Sequence, residues 1–113
     1  MTEDKSDFSY DSIVHYSHFV KTTVIYPKER ALEYLGLGIS SEVGELLGHF
    51  KKYIRDGKWD QQAVKKELGD IVWYWTNICN EMGVDPRTIL DMNMEKLRDR
   101  KDRDKLGGSG DDR

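Results

Sequence analysis

Cysteine occurs once in the 113 residues, as Cys79, so no disulfide can form within the chain and a reducing compartment is expected. Proline occurs only twice, at Pro27 and Pro86, which leaves long stretches free to run as helix. Positive charge is not in excess. The formal net charge is −3, which argues against a nucleic-acid partner. No apolar run approaches the roughly 18 residues that mark a membrane span. The opening MTEDKSDF has no apolar leader segment. A cytoplasmic protein without membrane or nucleic-acid partners is therefore the expectation.

What is present suits a small helical domain spanning residues 1–113, since 37% of residues are hydrophobic and 35% charged. Residues 1–6 are polar and expected to fray. From about Asp7, the apolar positions Phe8, Ile13, Tyr16, Phe19 and Val20 lie nearer to helical than to strand spacing, which predicts a first helix ended by Pro27. A second helix runs from about Lys28 to Arg55. Its stripe is Leu32, Leu35, Ile39, Val43, Leu46, Phe50 and Ile54, and Gly36 and Gly38 leave room for a kink. DGKWD, Asp56 to Asp60, reads as a turn. A third helix carries Val64, Leu68, Ile71, Trp75, Ile78 and Met82 on one face, with Gly83 as its C-cap. Asp85 and Pro86 supply the N-cap and first-turn proline of a fourth helix, which runs to about Arg103. Residues 107–113, within LGGSGDDR, have on composition the character of a mobile tail. The predicted fold is all-α, a four-helix antiparallel bundle. Its broad stripes, with Trp59, Trp73 and Trp75, point to a homo-oligomer.

One short pattern stands out against this background. Glu42-Val43-Gly44-Glu45 is followed, after 21 residues, by Glu67-Leu68-Gly69-Asp70. Acids three apart share one side of a helix. Their number means little, because about four acid-x-x-acid pairs are expected by chance from 21 acids. The fuller pattern of acid, aliphatic, glycine, acid is expected only about 0.06 times, yet it occurs twice. Each glycine costs on the order of 1 kcal/mol inside a helix, and would let a second helix come close. Both pairs also border the core stripes, whereas an ordinary solvated face would lie opposite them. Four like charges gathered there need cations, and all-oxygen ligation favours Mg²⁺ or Mn²⁺ over zinc. A di-iron bundle is disfavoured, since no Glu-x-x-His motif is present and His49 falls one position too far from Glu45. The residues alone leave open a second reading, in which these are rim charges paired with lysines such as Lys65 and Lys66.

At these residues the chain resembles the MazG-like, all-α nucleoside triphosphate pyrophosphohydrolases. The likeness rests on SSEVGELLGHFKKYIRDG, on KKELGDIVWYW and on NMEKLRDR, and spans about residues 30–103. It implies a homodimer or a dimer of dimers that cleaves a nucleoside triphosphate to the monophosphate and pyrophosphate with Mg²⁺. It also implies that Glu42, Glu45, Glu67 and Asp70 hold the metal, that Glu42 or Glu45 serves as base, and that Lys96 and Arg100 meet phosphate oxygens with help from Asn93. Lys51 and Lys52 could reach a triphosphate, or could be solvated cations at a helix end. Asp111 or Arg113 in the tail could close over a bound nucleotide. The rival from another class is a non-catalytic helical module that binds nucleotides or partner proteins.

Overall fold

The computed structural model describes residues 10–113, so the expected fraying of residues 1–6 and the place of Phe8 lie outside the described residues. Four α-helices follow in order: α1 Tyr10–Lys21, α2 Ala31–Asp56, α3 Gln61–Met82 and α4 Pro86–Asp102. A 3₁₀ turn, Lys28–Arg30, leads into α2. There is no strand among the described residues, and no helix is long and apolar enough to cross a membrane.

The first helix stops well short of Pro27, where its end was expected. The sequence TTVI supplies the reason. Thr22 Oγ1 donates to the Phe19 carbonyl and Thr23 Oγ1 to the Val20 carbonyl, each at 2.7 Å. The backbone N–H groups of both threonines turn to the same carbonyls. Side-chain hydroxyls thus capture the acceptors at the end of the helix, and β-branched Val24 and Ile25 favour extended backbone beyond it. That extended run brings Tyr26 inward, where its hydroxyl donates to Glu81 on α3.

The second helix runs unbroken through Gly36 and Gly38, so no kink forms. Gly38 has a different use. A Cβ there would lie 2.0 Å from Cε1 of Tyr74, so glycine is what admits the Tyr74 ring of α3 against the α2 backbone. Gly57, at φ 72°, closes α2 by donating to the Tyr53 carbonyl. Asp60 then caps α3 by accepting from Ala63 N–H at 3.1 Å. Gly83 and Asp85 end α3 and start α4 as expected.

The long α2–α3 hairpin carries the molecule. Helix α1 packs on α3 and α4, whereas α2 meets neither α1 nor α4 among the described residues. The core around Tyr26, Ala31 and the fully buried Leu35 sits at one end of the hairpin, backed by Trp73, Tyr74 and Ile78. Toward the other end the α2 stripe opens to solvent: Val43 and Phe50 are exposed, and Ile54 retains 85% of its surface. The radius of gyration is 17.0 Å, against about 13 Å for a compact chain of this length. One face of the hairpin has no cover within the described chain.

Candidate metal centre

Near the middle of the hairpin, where α2 and α3 run alongside each other, Glu42 faces Glu67 and Asp70. One carboxylate oxygen from each lies within 4.8 Å of the others. Glu45, one turn beyond Glu42, stands at the exposed edge of this group. The four acids of the repeated pattern are therefore brought together by the hairpin.

The electrostatics are those of a site missing its counter-charge. Oε2 of Glu42 and Oε2 of Glu67 are buried with no hydrogen-bond partner. Among the described residues, none of the four acids forms an ion pair, and Lys65 and Lys66 form none either. Several acids elsewhere are treated differently. Glu33, Asp56, Glu81, Asp85, Asp99 and Asp111 each have a lysine or arginine within reach. Burial, then the close approach of the Glu67 carboxyl, then the charges of Glu45, Asp70 and Glu67 push the Glu42 carboxyl up to about 7. Glu45 is also raised, chiefly by the close approach and charge of the Glu67 carboxyl, while His49 pulls the other way. The reading of these acids as rim charges paired with Lys65 and Lys66 does not fit this arrangement.

Buried, unpartnered carboxylate oxygens drawn from two helices fit a hard divalent cation, because oxygen donors and clustered negative charge are what such an ion takes. The glycines beside the acids do not serve the close helix approach expected of them. A Cβ at Gly44 or Gly69 meets nothing within 4 Å, so within one chain both face open space. Two tyrosines edge the cluster. Tyr16 is raised by burial and then by Asp70, and Tyr74 by burial and then by Tyr34, Glu42, Asp70 and Glu45. Tyr74 stands one helical turn after Asp70, a signal present in the sequence. Tyr16 comes from another helix, and no local pattern points to it.

The residues expected at the phosphates come from the last turns of α2 and from α4. Lys52 is seven positions past Glu45, about 10 Å along the helix, and its charge acts on Asp56. Asn93 is exposed on α4. Lys96 Nζ lies 3.1 Å from Asp111 Oδ1. Arg100 is only 5% exposed, and its Nη2 donates to the Asp111 carbonyl at 2.6 Å and to the Gly110 carbonyl at 3.3 Å.

The fold and site thus define an all-α protein in which two helices hold a cluster of carboxylates without counter-charge. Comparison with known proteins agrees with that class. The model of the MazG nucleotide pyrophosphohydrolase domain matches residues 30–103, and this chain belongs to that family. Among its relatives is the Gene 37 protein of Mycobacterium phage L5. It is 34% identical over 102 residues, covering 80% of this chain and 90% of the relative. No solved structure matches the chain.

Proposed function

We propose that this protein is a Mg²⁺-dependent nucleoside triphosphate pyrophosphohydrolase of the cytoplasm, able to use Mn²⁺, that acts on ribo- or deoxyribonucleotides in nucleotide-pool control. The observation that carries the reading is the pair of buried, unpartnered oxygens on Glu42 and Glu67 beside Asp70. Family membership supports the reaction class. In this reading Glu42, Glu67 and Asp70 hold the cation. When bound, the metal neutralises phosphate charge and polarises the attacking water. Glu45, at the exposed edge, takes the proton of that water on a carboxylate oxygen. Lys96 and Arg100, with Asn93 and Lys52, bind phosphate oxygens and offset charge on the departing pyrophosphate.

The same reading makes the protein a homodimer or a dimer of dimers, in which a second copy covers the open face of the hairpin and completes an antiparallel bundle. The exposed apolar side chains of α2 and α3, among them Leu47, Ile54, Leu68 and Val72, support it.

The test is product analysis. Each NTP and dNTP is incubated with the protein in Mg²⁺ or in EDTA, and products are resolved by chromatography and phosphorus NMR. Monophosphate plus pyrophosphate, formed only with metal, is the expected result. Diphosphate plus orthophosphate would replace the proposed cleavage with another, and binding without turnover would favour a nucleotide-binding module.

A further inference from the structure

The C-terminal segment folds back along α4 as a built loop. The chain reverses at Asp104, at φ 55°, and Gly108 and Gly110 take φ 96° and 89°. Arg113 then ties the loop to itself, donating to the carbonyls of Leu106, Gly107 and Gly110. Arg103 on the far side donates to the Arg113 carbonyl at 2.7 Å. Arg100 holds the loop from beneath through the carbonyls of Gly110 and Asp111. Main-chain contacts therefore fix the loop, and the Asp111 side chain contributes something separate.

That side chain is 84% exposed, yet its carboxylate is placed on two cations, 3.1 Å from Lys96 Nζ and 3.5 Å from Arg100 Nη2. Lys96 and then Arg100 hold its carboxyl below the usual carboxylate range. The loop does not use up the donors beneath it. Arg100 is buried, and its Nε has no hydrogen-bond partner. A buried guanidinium with a spare N–H, beside a lysine and under an exposed carboxylate, has the make-up of an anion seat with a replaceable occupant.

We propose that Lys96 and Arg100 form a phosphate-binding seat which the Asp111 carboxylate occupies at rest, so that a pyrophosphate-like anion and the tail compete for the same two cations. The inference rests on the reading of Lys96 and Arg100 as phosphate contacts and adds the tail as its internal competitor. Pyrophosphate brings several negative charges against the single charge of Asp111. An exposed ion pair is weak, so displacement costs little, and the main-chain anchors can remain.

The experiment uses the full chain, stripped of metal on a chelating resin, titrated with inorganic pyrophosphate at low ionic strength. Calorimetry reads affinity, and ¹⁵N spectra follow the amides of Gly107, Gly108 and Gly110. Saturable binding that moves these amides is expected. Asp111→Asn should bind roughly two- to fivefold more tightly, the size of a lost exposed ion pair, and Lys96→Gln more weakly than the wild type. Equal affinity in Asp111→Asn, binding that leaves the tail amides unmoved, or no binding at all would each overturn the proposal. No metal or turnover is involved, so a failure of the hydrolysis reading and a failure of this one are told apart.

Discussion

The carboxylates gathered by α2 and α3 and the cations of α4 are both clusters of like charge, but the chain resolves only the second. Lys96 and Arg100 are met by Asp111 and by tail carbonyls, within a loop that Arg113 and Arg103 hold shut. Glu42, Glu45, Glu67 and Asp70 are met by no lysine or arginine, and two of their oxygens are buried without a donor. Folding tolerates uncompensated buried charge poorly, so an arrangement this costly points outside the chain for its remedy. The cations carry their own stand-in for a ligand. The acids wait for theirs.

The largest expected effect breaks the acidic half. Asp70→Asn or Glu45→Gln should lower metal-dependent turnover by on the order of a hundredfold or more, since each removes charge at the reacting centre. Helicity by circular dichroism should stay at the wild-type level, because neither residue is paired within the fold. Normal turnover in both variants would refute the assignment of the cluster.

The second prediction separates anchor from surface on α4. Arg100→Ala leaves the Asp111 carbonyl without its donor and removes one of the two donors to the Gly110 carbonyl, and should cost about 1–3 kcal/mol in urea unfolding. Under the phosphate reading, Arg100→Ala and Lys96→Ala should both impair turnover far more than Asp99→Ala. Asp99 is only half of an exposed i,i+4 pair with Arg103. Comparable losses in all three would mean that α4 does not bring its cations to the substrate.

A pH dependence sharpens the comparison further. In metal-free protein the Glu42 carboxyl stands at about 7 against an ordinary 4.5. Between those values the folded state keeps a proton that the unfolded state has released, so stability should fall as pH rises through the window. Above about pH 7 the loss is complete. Thermal melts in EDTA from pH 4.5 to 8 would show it, and Glu42→Gln should flatten the profile. A melting temperature that rises with pH across this window, with the wild type and Glu42→Gln alike, would show that the cluster is not strained.

Much of this was legible in the residues, for reasons that also explain what was not. Apolar spacing found the helices, because periodicity reports which side of a helix is apolar. It does not report what covers that side. Leu35 and Ile54 belong to one stripe, yet one is fully buried and the other exposed. The end of α1 was missed because Thr22 and Thr23 act through hydroxyl contacts that hydrophobic patterning ignores. The four acids were legible because two rare local patterns happened to face each other. The tail contacts were not, since they depend on a chain reversal at Asp104, and composition alone suggested a mobile end.

The smallest expected effect concerns glycines, where the pattern in the sequence points to the wrong ones for close approach. Close approach of α2 and α3 depends on Gly38, which admits the Tyr74 ring, and not on Gly44 or Gly69 beside the acids. Gly38→Ala should therefore destabilise by about 1–3 kcal/mol, as overpacking does. Gly44→Ala adds a methyl group to open space within a helix and should stabilise an isolated chain by roughly 0.5–1 kcal/mol. Denaturant unfolding at several protein concentrations measures both. If Gly44→Ala destabilises instead, and does so more at concentrations that favour assembly, a second copy packs against Gly44. The glycine beside the acids would then serve close approach after all, between chains rather than within one.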